Sequence, residues 1–517
     1  MRLNDYKMSS EYDKKKWLES YQITKALPYF GGKNFIGKYL INRICNMAVQ
    51  MDIDGNKPDI FIDVFGGGGK IALSIPEGWF DTIVLNDFNY GITSFFKCCK
   101  EQPDELVALI EKLGEVMDKD LFHILSFIRS NDGHGTLEEK YANAKVSNNE
   151  TEEGDEEQRK DREEREGRYS RYKELLFDDK IEPLLSAAAT YWVTKLDFMG
   201  VTEPLKVSYK ASIADKKSGM IGKQNEKERI ENAVKTARKL IPEICQRMRK
   251  NNIIVERLDF GELVKKYNGK TYKTIDNEKK LYEEYSSKNK LWYMDSPYHP
   301  STLSGGKEAP YEDTFFIKDV SKMTEIIHND KVEEYGEIDY FIKSDYDPKD
   351  TFAFATEEIS RYAFEQKKLE DAGINEKQKK QNDKTGVEEL TKEAKRLKAI
   401  KKYIRTLEKQ RDNIAGSSPE FMGKETISFH HFDCLEDNSE YAEGGVKPKE
   451  QRIYFKECLG EFPKAVANKL TGEKAMGKEY IWFRGMKSDY VEKVDNDVMD
   501  ELEEVIKCKN SGKCLSV

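Results

Sequence analysis

The sequence predicts an α/β fold built on a mostly parallel sheet, and three features of the chain predict it. Short apolar runs at residues 59–65, 82–89 and 253–260 each carry an acid at or near their end, and the first runs into four consecutive glycines at 66–69. Asp87 stands eighteen residues beyond Gly69, close to the spacing at which such folds bind a ribose hydroxyl. A later run at 291–294 ends in Asp295-Ser296-Pro297-Tyr298, the form of a strand delivering an acid, a rigid turn and an aromatic ring into the crevice at the sheet's carboxyl edge.

Each element follows from its residues. The strand at 59–65 must turn sharply into a helix beginning near Ile71, and glycine permits both a positive φ and the close approach of a ligand. A phosphate cradle is excluded there, because Lys70 has no Ser or Thr after it and Val64 occupies the first glycine's place. A nucleoside-sized cofactor fits the turn, and a glycine turn without a ligand is the alternative. In the second strand Asp87 is a ribose ligand or, alternatively, a cap for the helix after Asn89. The third strand, 253–260, presents Asp259 and Phe260. At the end of the next, the Asp295 carboxylate can accept one hydrogen of an exocyclic amine and the Ser296 carbonyl the other, while Tyr298 stacks on the heterocycle; an ordinary turn is the competing reading. Residues 338–345 read as a further parallel strand and 478–484 as a closing one.

Composition frames these elements. The chain has 517 residues, 35% of them charged, and a net charge of -9, with a mean hydropathy of -0.76. It is long enough for two or three domains, and part of it must be solvated helix or loop. The net charge argues against indiscriminate coating of nucleic acid but leaves room for a local basic face. Eight cysteines show no Cys-x-x-Cys pairing and fit reduced thiols in a cytosolic protein. No apolar run approaches a membrane span and no signal-peptide core is seen. His430, His431, Asp433 and Cys434 lie in an alternating strand pattern that sends neighbours to opposite faces, so no metal site is expected.

The interruptions set the organisation. Residues 91–250 exceed what a crossover needs and predict a mostly helical insert, with a charge-dense, solvated stretch at 138–171. A second insertion, spread over 356–412, reads as a charged amphipathic helical hairpin. The expected division is 1–90 for the N-terminal part of the catalytic domain, 91–250 for a target-recognition insert, 251–355 for the catalytic motif, 356–420 for the hairpin and 421–517 for closing strands and tail.

Asp295-Ser296-Pro297-Tyr298 resembles the Asp-Pro-Pro-Tyr motif of amino-group DNA methyltransferases, with serine for the first proline. Residues 26–33, ending in Gly31-Gly32-Lys33, resemble the glycine-glycine-lysine element opening the Dam-like DNA adenine methyltransferase family. Asp63, Phe65, Gly67 and Gly69 stand in the order of that family's cofactor loop, with Val64 and Lys70 departing from it, and residues 187–200 resemble its aromatic helix with a glycine exit. The resemblance implies a Rossmann-like class I methyltransferase that uses S-adenosylmethionine and acts on flipped adenine in double-stranded DNA. It assigns Asp295, Ser296, Pro297, Tyr298 and Lys33 to catalysis. Gly31, Lys33, Asp63, Phe65, Gly67, Gly69, Asp87, Asp259, Phe260 and Asp295 would serve the cofactor. After the aromatic helix, Lys206, Tyr209, Lys210, Lys216 and Lys217 would face DNA, an exposed loop without that purpose being the alternative. A cytoplasmic setting is implied, and a cognate restriction endonuclease is left open as a partner. Methylation of cytosine at its exocyclic amine, and a decayed, non-enzymatic DNA-binding protein, are the rival readings.

Overall fold

A computed structural model describes residues 1–28, 36–129, 182–196, 226–275, 278–281, 284–296, 322–323, 325–327, 329, 331–345, 348–381, 388–416, 454–467 and 474–484. Gly31, Lys33, Pro297, Tyr298, the lysine-rich loop with Lys206, Tyr209, Lys210, Lys216 and Lys217, the charged stretch at 138–171 and the histidine cluster at 430–434 lie outside the described residues. The chain divides into two compact units, whose described residues run from Met1 to Tyr293 and from Met294 to Arg484. No helix among the described residues is long and apolar enough to cross a membrane.

The first unit opens with helices α1 (Leu3–Met8), α2 (Glu11–Ser20) and α3 (Gly37–Ile53), followed by strand β1 (Ile60–Asp63), the short helix α4 (Lys70–Ser74) and β2 (Thr82–Asn86). Five helices come next: α5 (Tyr90–Glu101), α6 (Pro103–Glu115), α7 (Lys119–Arg129), α8 (Glu182–Leu196) and α9 (Glu226–Lys250). Then come β3 (Ile253–Glu256), α10 (Phe260–Tyr267), a small antiparallel ribbon of β4 (Tyr272–Ile275) and β5 (Glu278–Leu281), and β6 (Lys290–Met294). β1 pairs in parallel with β2 on one side and β6 on the other, and β2 pairs in parallel with β3. The order β6-β1-β2-β3 is Rossmann-like: the chain winds outward from β1 to β3, then returns to the far side of β1, making a switch point between β1 and β6. All four residues of β1 are buried, as are Leu291–Met294 of β6, which is why these strands are continuous apolar runs rather than alternating ones.

The strands are shorter than the sequence suggests. β1 stops at Asp63 instead of continuing to Phe65, because the backbone of Gly66 already leaves the ladder to donate to the Asn86 carbonyl (2.7 Å). β2 stops at Asn86, where Asp87 and Asn89 form a turn, and β3 stops at Glu256, four residues before Phe260 begins a helix. Side-chain bonds to loop backbone outcompete further strand pairing at each exit.

The aromatic residues of α8 build the helical layer. Trp192 donates from Nε1 to the Ile110 carbonyl of α6 (3.2 Å), and the Tyr191 hydroxyl donates to the Ala233 carbonyl of α9 (2.5 Å) while its ring stacks on Phe95 of α5. Both side chains are fully buried, so α8 is held by core packing on three neighbours.

The end of α4 is held by side chains from distant segments. Arg247, in the last turn of α9, donates to the carbonyls of Leu73 (2.8 Å) and Ile75 (3.1 Å) and to the Tyr21 hydroxyl (3.0 Å). Tyr21 donates in turn to the Ser74 carbonyl (2.6 Å), and Asn251 to that of Ile75 (2.9 Å). Burial raises the Tyr21 pKa, which keeps its donor proton in place. These bonds replace the partners a helix end lacks.

In the second unit, α11 (Val332–Tyr335) precedes β7 (Phe341–Asp345). The helices α12 (Pro348–Asp371) and α13 (Lys392–Gly416) are joined through a ribbon of β8 (Lys379–Gln381) and β9 (Glu388–Leu390). The strands β10 (Tyr454–Ala467) and β11 (Lys474–Arg484) form an antiparallel pair, and β11 also pairs antiparallel with β7, giving the closing antiparallel strand expected from 478–484.

Replacing Arg247 by alanine removes a charged donor from two carbonyls that no longer reach water freely. We expect the unfolding transition of the first unit to lose about 1–3 kcal/mol, measured by chemical denaturation followed through tryptophan fluorescence. A midpoint equal to wild type would show that these carbonyls find other partners.

Candidate active site

The carboxyl ends of β1, β2 and β3 gather the residues that the sequence singles out. Asp63 ends β1 and is buried; its Cα partner across the ladder is Tyr293 of β6. Ser296 is buried and Asp295 partly so. Asp87 lies just past β2, where Oδ2 accepts from the Gly67 N–H (2.8 Å) and Oδ1 from the Asn89 N–H (2.8 Å). The helix cap after it is Asn89, whose side chain accepts from the Ile92 N–H (3.1 Å). Asp87 therefore fastens the glycine loop to the exit of β2. A carboxylate has about four acceptor positions, so this role is compatible with receiving a ligand's hydroxyls.

Gly67 and Gly69 both adopt a positive φ, 48° and 74°. At Gly69 a side chain would also run into the ring of Phe96, so this glycine serves the packing of loop on helix as well as the turn. Lys70 begins α4 where the resembled loop has a small hydroxyl residue; it is half-buried, and desolvation lowers its pKa.

On the third strand's exit, Asp259 is the N-cap of α10, its Oδ1 accepting from the Gly261 N–H (3.0 Å). Phe260 is buried, with its ring 5.9 Å from that of Phe65. The sequence reading of these two as strand residues is corrected to a cap and a first helical residue, because the capping bond ends the extended backbone.

The residue that sequence reasoning missed is Asn86. Its buried side-chain amide donates to the carbonyls of Val64 (2.9 Å) and Leu258 (3.0 Å) and accepts from the Leu258 N–H (3.0 Å), while the backbone carbonyl of Asn86 receives the Gly66 N–H. One side chain thus ties the exits of β1, β2 and β3. The signal available was an amide closing an otherwise apolar strand. Phe88 was also passed over; it is a half-exposed ring beside Asp87, with the Arg257 guanidinium 5.9 Å from its centroid. Near the end of α8, the Lys195 ammonium sits 5.6 Å from the Tyr191 ring, and burial, then the charge of Lys25, lowers its pKa.

Carboxylates on an edge bearing glycine turns and two phenylalanine rings can accept hydrogens from hydroxyls and amines and can flank a flat heterocycle. That set of acceptors and rings fits a nucleoside cofactor with a positively charged centre.

Asn86→Leu keeps the volume and leaves the Val64 and Leu258 carbonyls and the Leu258 N–H without their partner. The cost expected is about 1–3 kcal/mol for each group left unsatisfied, seen as faster hydrogen exchange at Leu258, whose N–H loses the side-chain acceptor. Wild-type protection at that amide would refute the clamp.

Comparison with known proteins supports the same chemistry. No curated protein sequence matches the chain. Residues 29–190, from the glycine-glycine-lysine element through most of α8, match the family model of the D12 class N6 adenine-specific DNA methyltransferases. With its Rossmann-like parallel strands and this match, the chain is similar over residues 29–190 to the D12 class N6 adenine-specific DNA methyltransferases.

Proposed function

We propose that the protein transfers a methyl group from S-adenosylmethionine to the exocyclic amine of an adenine flipped out of double-stranded DNA. The observation that carries this reading is the gathering, at one sheet edge of the first unit, of the glycine loop after β1, Asp87 after β2 and Asp259 after β3, joined by the Asn86 side chain. S-adenosylmethionine, when bound, supplies an electrophilic methyl group on sulfur. Asp63, Phe65, Gly67, Gly69, Asp87, Asp259 and Phe260, with Gly31 and Lys33, are the residues proposed to hold it. Asp87 would receive the ribose hydroxyls, and the phenylalanine rings, joined by Phe88, would flank the adenine.

An amine on a purine is a poor nucleophile because its lone pair is delocalised into the ring. Asp295 and the Ser296 carbonyl would accept its two hydrogens, turn the lone pair toward the methyl group and stabilise the positive charge that grows on nitrogen. Pro297 would set the turn, and Tyr298 would stack on the extruded base, since a paired base cannot be reached inside the duplex. Lys206, Tyr209, Lys210, Lys216 and Lys217 are proposed to meet the DNA backbone.

The catalytic domain is proposed to comprise 1–90, 251–355 and 421–517, with target recognition at 91–250 and a hairpin insertion at 356–420. A cytoplasmic setting completes the proposal, with the choice between a solitary enzyme and one paired with a restriction endonuclease left open.

Asp295→Ala is expected to abolish methyl transfer to duplex DNA while leaving cofactor binding by calorimetry nearly intact. Wild-type turnover would remove Asp295 from catalysis, and mass analysis of the product nucleosides would separate adenine from cytosine as target. Asp87→Ala is expected to weaken cofactor binding by about 1–3 kcal/mol in calorimetric titration; unchanged affinity would leave Asp87 with the loop alone.

A further inference from the structure

Charge is segregated by direction in the α12–α13 hairpin. In a chain of net charge -9, α13 carries nine basic and three acidic residues. The basic residues sort by direction. Arg396 bonds to both carboxylate oxygens of Glu365 on α12 (2.8 and 3.0 Å), and Lys401 pairs with Glu370 of the same helix (2.9 Å). Ala394, Leu397, Ile400, Ile404 and Leu407 are buried, with Ile400 and Ile404 packed around Tyr362. On the outer side, Lys395, Lys398, Lys402 and Arg405 are all exposed. At about 3.6 residues per turn these four fall within an arc of roughly 80°, in a row ~15 Å long. Lys398 and Arg405 make no ion pair among the described residues.

We infer that this outer row of α13 is a contact surface for the phosphate backbone of duplex DNA, outside the segment that matches the methyltransferase family. The inference rests on the DNA-methylating function. Cations spaced i, i+3, i+7 and i+10 rise by ~4.5–6 Å from one to the next, a ladder suited to a row of phosphates. No apolar residue interrupts the row, so it offers neither an anchor for a protein interface nor a wedge for a lipid surface. Contacts of this kind fix the position of the enzyme on the duplex and carry no sequence information.

The test compares the full-length protein with a Lys398→Ala/Lys402→Ala/Arg405→Ala variant, using a fluorescein-labelled duplex, anisotropy and a salt series. The variant is expected to bind about tenfold more weakly or worse, with a plot of log affinity against log salt shallower by up to ~0.9 for each phosphate no longer neutralised. KM for DNA should rise while kcat and the melting temperature hold. Lys398→Arg/Lys402→Arg should bind as wild type does. Should the triple variant melt early, Lys398→Glu alone carries the test and is expected to weaken binding at low salt. Wild-type affinity and slope in the folded variants would overturn the inference and leave the methyltransferase reading standing. Failure of the wild-type protein to bind or methylate DNA would overturn both.

Discussion

The amide of Asn86 is the constraint on which the carboxyl edge of the first unit's sheet depends. A parallel ladder ends with backbone donors and acceptors that have no partner in the next strand, and buried ones are costly to leave unmade. The Asn86 side chain satisfies Val64 on one side and Leu258 on the other, while the backbone carbonyl of the same residue takes the Gly66 N–H. The three exits are thereby set relative to one another. Asp63, the glycine loop, Asp87 and Asp259 inherit their positions from that arrangement.

The glycine loop shows how several demands meet at one backbone segment. Gly67 must turn through a positive φ and present its N–H to Asp87, and Gly69 must do the same turn against the Phe96 ring. A side chain at Gly69 would meet both the cost of a left-handed backbone and a filled space. This couples the sheet to α5, whose own start is capped by Asn89, itself bonded to Asp87. Acid, glycine and cap form one continuous chain of bonds from the loop to the helix.

Charge is divided along the protein between distinct surfaces. The sheet edge of the first unit collects carboxylates, suited to hydroxyls, amines and a cationic centre, whereas α13 of the second unit turns lysine and arginine outward and pairs its inward-facing cations with Glu365 and Glu370. A net charge of -9 averages over these oppositely charged surfaces, which is why it describes neither.

The local content of the molecule was legible in the sequence. The buried runs at β1, β2 and β6, the left-handed glycines, the helical character of α8 and the closing strand β11 each depend on contiguous residues, and apolar pattern, glycine and acid report them directly. What the sequence could not decide was where each strand stops and which side chains close its end. Those bonds join residues far apart in the chain, Asn86 to Leu258 across 172 positions and Arg247 to Leu73 across 174. Asp87 and Asp259 looked alike as acids after apolar runs, yet one ties a loop and the other caps a helix. Local pattern determined the elements and the chemistry of their ends; only the tertiary structure, by bringing distant donors to the ends of parallel strands, decided how those ends meet.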